Sequence, residues 1–314
     1  MPDAAAQVGG LQTQYAPSGY VGLWTRVAGF ERAGLTRALE DRSAIQGTLM
    51  RTTIHVVARG DYWKLVMGTQ RSQQAWATRT QALPPERTLR DAADRLRRAL
   101  ADGPKTVREL GDIAKGFVGS LGYWVPLVRV PPSGTWERRR ADRLALAEDW
   151  VGPIDATEDE GLEHLVRSYL RAFGPAPWKD IASWAGVGVA ELKLGAANLA
   201  IVRYLDERGD ELLDLGGFEI EDGGAAAPVR FLPHWDANLL VHARRTGVLP
   251  EEHRPRVFSI RNPFSVGTVL VDGRVVAGWS LKDGRIQVEE YEQLRPKDRK
   301  AVERERAALE AFHR

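Results

Sequence analysis

The chain contains no cysteine, which excludes disulfide frameworks, zinc ribbons and thiol nucleophiles. It also lacks an apolar run long enough to span a bilayer, and residues 1–10 lack the pattern of a signal peptide. Its six histidines are scattered, without the spacing of a metal site. It has no phosphate-cradling Gly-x-x-x-x-Gly-Lys run and no Gly-x-Ser-x-Gly elbow. We therefore expect a cytoplasmic protein that needs no metal or other cofactor.

Net charge gives little guidance, since 44 basic and 42 acidic residues leave a formal charge of only +2. Only eight of the basic residues are lysines, and the arginines that make up the rest suit phosphates and guanine edges. A GC-rich genome, which favours arginine codons, explains most of that excess. Composition therefore leaves the partner open, while 314 residues give room for two or three domains.

The stretch from Gly174 to Leu215 carries the clearest local pattern. A helix that ends at Gly186 is followed by a second helix, predicted over Val189–Leu199. Two strand-like runs, Ile201–Leu205 and Glu211–Leu215, then flank a charged turn. Helix, turn, helix and hairpin is the winged-helix order, whose commonest use is DNA binding. The same module also serves as a scaffold or in protein contacts, so it does not decide the function.

Two similar units precede this one and a different module follows it. We predict winged-helix units over residues 1–87, 88–158 and 159–224, with the first wing at Gly47–Val57. From residue 225 onward, strand-like runs around an Asp272-Gly273 turn predict a small β barrel or sandwich. A charged helix over Pro296–Phe312 closes the chain. The predicted fold class is α+β: three tandem winged-helix units, a C-terminal β barrel and a closing helix.

Four blocks of sequence follow one another in a recognisable order: Leu11-Gln12-Thr13-Gln14, Leu49 to Val57, Phe231 to Leu240 and Leu270 to Trp279. Together they resemble the tandem winged-helix DNA glycosylase family, which includes azinomycin-resistance and crosslink-unhooking glycosylases. The resemblance implies winged helices and a barrel curved around duplex DNA. It also implies hydrolysis of the N-glycosidic bond of alkylated purines, especially N7-alkylguanine and interstrand crosslinks, in repair or self-resistance. Such an enzyme would be a monofunctional, metal-independent monomer, associated with the nucleoid.

The catalytic motif of that family is Gln-Φ-Gln or Gln-Φ-Asp, where Φ is apolar, and it maps onto Gln12, Thr13 and Gln14. A glutamine amide is no strong base, but an N7-alkylated guanine is already cationic and leaves readily. We hypothesise that Gln12 and Gln14 orient the hydrolytic water and steady an oxocarbenium-like sugar. An extended backbone would put both on one side and Thr13 on the other, where its methyl group replaces the apolar residue. Only eleven residues precede the motif, so its support by a leading helical segment is in question.

Residues in or beside the predicted wings and loops are candidates for DNA contact through phosphates or grooves. They are Thr48, Arg51, His55, Arg129, Trp136, Arg138, Arg139, Arg140, Arg244 and Arg245. Trp136 is a candidate wedge at a wing tip, whereas a histidine in an apolar strand is more often simply packed. Asp236 is a possible accessory residue, or else a structural carboxylate that pins the Asn238 loop.

The alternative function is a non-catalytic winged-helix DNA-binding protein, either a regulator or a damage sensor. The glutamine pair favours the enzyme, because a regulator has no use for two amides at that place. A dimeric regulator should also carry a long apolar dimerisation helix, and none is evident. A bulky adduct would resist being flipped into a deep pocket, and a shallow winged-helix surface offers no obvious one.

Overall fold

The computed structural model describes residues 2–114, 121–217, 224, 227–242, 246–258 and 265–314. A short 3-10 helix covers Met50–Thr52. The α-helices are α1 (Pro2–Gln7), α2 (Pro17–Trp24), α3 (Arg32–Glu40), α4 (Arg59–Thr80), α5 (Glu86–Leu100), α6 (Val107–Ala114), α7 (Ala147–Val151), α8 (Glu158–Phe173), α9 (Trp178–Ala185), α10 (Val189–Gly195), α11 (Ala237–Leu240), α12 (Arg254–Val257) and α13 (Pro296–His313). The strands are β1 (Leu11–Gln12), β2 (Ala44–Thr48), β3 (Ile54–Ala58), β4 (Lys105–Thr106), β5 (Leu127–Arg129), β6 (Arg143–Leu146), β7 (Ile201–Leu205), β8 (Glu211–Leu215), β9 (Arg230–Leu232), β10 (Gly267–Val271), β11 (Arg274–Lys282) and β12 (Arg285–Glu290).

The chain forms two compact units. The first unit consists of Met1–Tyr20 and Glu31–Gly216, and the second unit of Val21–Phe30 and Gly217–Arg314. The mixed helix and sheet content agrees with the predicted α+β class. The division into four modules at residues 87, 158 and 224 stays a prediction.

One sheet joins strands of the first and second predicted winged-helix units. It runs in the order β1-β3-β2-β5-β6-β4, so β2 of the first predicted unit pairs directly with β5 of the second, while β3 pairs with β2 and β6 pairs with β5. Strand β2 does not alternate between buried and exposed residues, because Ala44 to Gly47 are all buried. This pattern suits a strand that is covered on both faces and has neighbours on both sides. The sheet places β1, which carries the start of the glutamine motif, at one edge.

The helix–turn–helix and hairpin of residues 178–215 follow the predicted order. Pro177 is the N-cap of α9, and Gly186 ends that helix in the left-handed conformation at φ 71°. Helix α10 stops at Gly195, four residues before the predicted end. Strands β7 and β8 have the predicted bounds and pair as an antiparallel hairpin.

Glycines bring α8 into backbone contact with two other helices of the first unit. An ideal Cβ at Gly161 would lie 2.3 Å from the Gly68 nitrogen of α4, and one at Gly68 would lie 2.6 Å from the Gly161 carbonyl carbon. An ideal Cβ at Gly195 would likewise lie 2.3 Å from the Leu162 Cβ. Only a residue without a side chain permits this approach, so these glycines fix how α4 and α10 pack on α8.

The second unit contains an antiparallel sheet in the order β12-β11-β10-β9. The predicted barrel is not closed in the described part of the chain, because β9 and β12 remain the two edges of this sheet. The Asp272-Gly273 hairpin turn is present, with both residues at positive φ. Helix α13 packs along the sheet, with Val302 and Leu309 buried. The predicted strands and closing helix therefore exist, but they form an open layer.

Helix α1 is an element that the sequence reading missed, since residues 2–7 are small and polar. Its Ala5 is buried, and the helix packs against β3 and α8. A helical segment therefore precedes Gln12 despite the short leading sequence. No helix among the described residues is long and apolar enough to cross a membrane.

Candidate functional site

The glutamine motif begins as an edge strand. Strand β1 is antiparallel to β3, with Leu11 opposite Val56 and Gln12 opposite His55. The pairing continues one residue further, since the Thr13 N–H donates to the Ile54 carbonyl at 2.7 Å. Backbone hydrogen bonds therefore hold the motif against β3 and determine which side chains face outward.

Thr13 occupies the apolar position of the motif, and both its methyl group and its hydroxyl have partners. The residue is 2% exposed, whereas Gln12 is half-buried and Gln14 is exposed. The Thr13 Cγ2 lies 2.6 Å from an ideal Cβ at Gly19, so the methyl group occupies space that Gly19 leaves open. Its hydroxyl accepts a hydrogen bond from the Gln46 Nε2 at 3.0 Å. Thr13 therefore anchors the motif, and the predicted alternation of the two glutamines with Thr13 is present.

Both glutamine carbonyls are held by donors of the protein. The Gln12 Oε1 accepts from the Arg51 Nη2 at 3.0 Å, and the Gln14 Oε1 accepts from the Ile54 N–H at 3.2 Å. Neither amide nitrogen donates to another of the described residues. Because an amide oxygen has two lone pairs, each carbonyl keeps one for a further donor such as water. The two side chains are thus oriented before any substrate arrives.

Arg51 connects the motif to the helix–turn–helix. Its guanidinium donates to the Trp184 carbonyl as well as to Gln12. Arg51 has φ 53° and Thr52 has φ 60°, a left-handed pair that is uncommon for residues other than glycine. An ideal Cβ at Gly186 would lie 3.0 Å from the Arg51 nitrogen, so the turn between α9 and α10 is packed against this backbone. Arg51 is therefore held between Gln12 and Trp184, and its predicted contact with a phosphate stays a prediction.

Trp184 supports the motif from a second direction. The residue is 2% exposed, and its ring lies 2.8 Å from an ideal Cβ at Gly9, which has φ 65°. Gly9 stands just before the motif, between α1 and β1. A side chain at position 9 would be strained and would collide with the indole. Helix α9 thus supports the motif through Trp184, whose ring packs against Gly9 and whose carbonyl accepts a hydrogen bond from Arg51.

His55 is buried beneath the site, which corrects its assignment to DNA contact. Its side chain belongs to the core at 2% exposure, and its Nδ1 lies 3.0 Å from the Thr53 carbonyl. Burial, reinforced by the nearby Arg51 charge, lowers the pKa of His55 to about 3. The imidazole is therefore neutral at physiological pH, and Nδ1 must carry the proton because its partner only accepts. A neutral buried ring explains why a histidine occurs in an apolar strand.

Thr48 and Arg129 bind one another at the end of β2. The Arg129 Nη1 donates to the Thr48 Oγ1 at 3.0 Å, and its Nε is buried without a partner among the described residues. Burial lowers the pKa of Arg129 to about 10, so the guanidinium keeps its charge at neutral pH. Contact of this pair with DNA stays a prediction.

The loop of residues 131–142 contains the predicted wedge and three predicted arginines. Trp136 is 6% exposed and packs edge-on against Tyr20, with ring centroids 5.5 Å apart, so a packed indole replaces the predicted wedge. The Arg139 Nη1 donates to the Tyr15 hydroxyl at 3.1 Å. Arg140 forms an exposed ion pair with Asp142 at 3.1 Å, and Arg138 is exposed. The loop is therefore tied to the residue that follows Gln14.

Asp236 has the structural role that the sequence offered as its second reading. It is 3% exposed, caps α11 through the Asn238 N–H at 3.0 Å, and forms a two-pronged ion pair with Arg26 at 2.7 and 2.9 Å. It belongs to the second unit, whereas the glutamines belong to the first. Arg244 and Arg245 lie outside the described residues. No group of three histidines or carboxylates among the described residues is placed to hold a metal.

Sequence reasoning missed three residues that shape the site: Tyr15, Gln46 and Trp184. Tyr15 has a local signal, since it adjoins the motif. Gln46 lies 33 residues from its partner Thr13, and Trp184 lies 133 residues from Arg51. Nothing in the local pattern marks such pairs, because they meet only through the sheet and the packing of α9.

Comparisons with known proteins identify the family of this chain and its fold. Residues 5–312 match the protein family described as "DNA glycosylase AlkZ-like". The chain is 25% identical over 341 residues to the "Interstrand DNA cross-link repair glycosylase" of Streptomyces sahachiroi, covering 97% of this chain and 88% of that protein. The structure of the "Streptomyces sahachiroi DNA glycosylase AlkZ" superposes with a TM-score of 0.80 at 20% identity, covering 99% of this chain and 90% of that one. The structural likeness extends over the whole fold.

Proposed function

The chain belongs to the AlkZ-like DNA glycosylase family, and we propose that it hydrolyses the N-glycosidic bond of N7-alkylated purines in duplex DNA. The observation that carries this proposal is the pair of outward-facing amides, Gln12 and Gln14, whose carbonyls are fixed by Arg51 and the Ile54 N–H. Two amides held in this way suit a reaction that needs an oriented water and a stabilised cation. We also propose that three winged-helix units carry this site.

The chemistry begins with a leaving group that needs no acid. In an N7-alkylated purine the ring is cationic, so breaking the C1′–N9 bond returns the electron pair to the ring and releases a neutral base. The sugar passes through an oxocarbenium-like state, and a water oxygen bonds to C1′ while one of its protons leaves to solvent. The free lone pairs of the Gln12 and Gln14 carbonyls accept hydrogen bonds from that water and direct negative dipole ends toward the cationic sugar.

Arg51 acts through Gln12 in this scheme. Its guanidinium fixes the amide so that the carbonyl does not turn away, and the Trp184 carbonyl fixes the guanidinium. A lysine at this position would keep the charge but lose the planar fork that reaches both oxygens. Arg51 is therefore a positioning residue, and its contribution depends on the presence of Gln12.

We assign contact with the DNA backbone to the exposed arginines beside the motif. Arg138 and Arg139 project from the loop that is tied to Tyr15. Guanidinium groups there would bind phosphates on either side of the damaged nucleotide and set its register. We propose interstrand crosslinks among the substrates, as in the name of the Streptomyces relative, and action as a metal-independent, monofunctional monomer near the nucleoid.

The test is base release from duplex DNA that carries N7-methylguanine or an N7-linked crosslink. We expect the wild type to produce abasic sites, and Gln12→Ala and Gln14→Ala each to lose roughly 100-fold or more in rate, as when one transition-state hydrogen bond is removed. DNA affinity should persist. Gln287→Ala, an exposed glutamine on β12 of the second unit, is the matched control and should retain full activity. Binding without release by the wild type would identify a non-catalytic DNA-binding protein instead.

A further inference from the structure

A groove that Arg51 helps to line has no function in the reaction described above. It has a volume of about 490 Å³ and lies between α4, the Met50–Thr52 turn and the turn that connects α9 to α10. That volume is within the range of small-molecule sites in proteins. The residues that define its chemistry are Arg51, Arg71, Trp76, Arg79 and Glu191.

Trp76 offers an aromatic surface on this groove. Its side chain is 38% exposed, although tryptophan usually buries most of its area. The ring packs edge-to-face against Tyr123, with centroids 6.3 Å apart and planes at 88°. An indole that is fixed but uncovered is the kind of surface on which an unstacked nucleobase packs.

The charges of the groove select an anionic occupant. Three guanidinium groups line it against one carboxylate, Glu191, which already accepts from the Ser72 hydroxyl at 3.3 Å and the Gly188 N–H at 3.2 Å. Arg71 forms a loose, exposed pair with Glu158 at 3.4 Å. Arg79 forms no ion pair with any residue that the structure describes. Phosphate oxygens would be attracted here.

The same charges exclude the damaged base itself from the groove. An N7-alkylated purine is cationic before it leaves, and three arginines would repel it. A neutral base with its anionic phosphate meets both features, with stacking on the indole and charge pairing at the arginines. Arg79 lies three residues after Trp76 on α4, so the two side chains share one face of the helix.

We propose that this groove binds one undamaged nucleotide next to the lesion, turned out of the duplex, with its base on Trp76 and its phosphate between Arg71 and Arg79. The inference rests on the proposed function, which supplies the lesion. Arg51 lines the groove and also bonds to Gln12, so an occupant would contact the residue that orients one of the two amides. Unstacking a neighbour would open the face of the damaged sugar to water without requiring a bulky adduct to be flipped.

Photocrosslinking tests the contact without depending on base release. Duplexes would carry a tetrahydrofuran abasic analogue and 5-iododeoxyuridine at the 5′ neighbour, at the 3′ neighbour or ten base pairs away. We expect efficient crosslinking at one neighbouring position only, mapped to Trp76 by mass spectrometry. Trp76→Leu, which keeps an apolar contact with Tyr123, should abolish that crosslink, and Trp76→Phe should restore it.

The phosphate contact has its own measurement. Arg79→Gln should lower the slope of log affinity against log salt by about one, as expected when one phosphate contact is lost. Arg95→Gln, an exposed arginine on α5, is the matched control and should leave the slope unchanged. Crosslinks that map elsewhere, or a Trp76→Leu protein that crosslinks as the wild type does, would overturn the proposal. If the wild type crosslinks through Trp76 but releases no base, the groove stands and the proposed function fails.

Discussion

Replacement of Arg51 by lysine tests whether this residue orients Gln12 or contacts a phosphate. The guanidinium makes two hydrogen bonds, to the Gln12 Oε1 at 3.0 Å and to the Trp184 carbonyl. Lysine keeps the positive charge but has no planar fork, so it cannot hold both oxygens in the same geometry. The Arg51→Lys protein therefore separates orientation from charge.

The expected size of the effect follows from the bond that is lost. A hydrogen bond in which one partner is charged contributes about 1.5–3 kcal/mol. If all of it serves to hold the Gln12 amide in its reactive orientation, base release slows roughly 10- to 100-fold, at 1.4 kcal/mol for each factor of ten. Affinity for DNA and its salt dependence should not change, because the charge remains.

The assay is single-turnover base release from N7-methylguanine DNA in a double-mutant cycle with Gln12→Ala. If Arg51 acts through Gln12, Arg51→Lys slows the wild type but has little further effect on the Gln12→Ala protein. Arg95→Lys, at an exposed position on α5, serves as the control for a general arginine-to-lysine effect. Additive losses in the double variant would refute the reasoning, and so would full activity of Arg51→Lys.

Three further predictions concern stability, measured by urea unfolding. His55 is neutral in the folded protein, where its pKa is about 3, against 6.5 in the unfolded chain, so its contribution to the free energy of unfolding is complete above pH 6.5 and falls as the pH drops toward 3. Lowering the pH from 7 to 5 should therefore reduce the free energy of unfolding by about 2 kcal/mol, and a His55→Gln protein should lose less stability over that range. Gly161→Ala should destabilise the first unit by about 2 kcal/mol or more, because its Cβ would meet the Gly68 backbone; a loss below 0.5 kcal/mol would show that the helices can separate freely. Asp236→Ala should cost about 3 kcal/mol by leaving the half-buried Arg26 charge without its carboxylate. Joint replacement of Arg26 and Asp236 by methionine and leucine should restore most of that loss, and equal losses in both variants would argue against this account.

Local patterns predicted the elements better than their arrangement. Gly186 indicated the end of α9 because a left-handed cap favours glycine, and β7 and β8 followed from the period-two pattern of their residues. Helix α1 escaped notice because its small residues show no apolar face, and only contact with β3 and α8 reveals what buries Ala5. Strands of the first two predicted units lie in one sheet, which the local pattern did not indicate because strand pairing depends on partners far apart in sequence.

The sequence by itself determined the composition of the site: a Gln-Thr-Gln motif on an extended segment, with Thr13 inward and the glutamines outward. It also carried the family resemblance, since the blocks that mark the family are contiguous in the chain. Only the tertiary structure decided which candidate residues are buried and which of them contact one another. Arg51 reaches Gln12 and Trp184, His55 and Trp136 are buried, and the groove at Trp76 exists because three distant segments pack together. Side-chain identity is local, but burial and hydrogen-bond partners depend on contacts between segments that only the folded chain brings together.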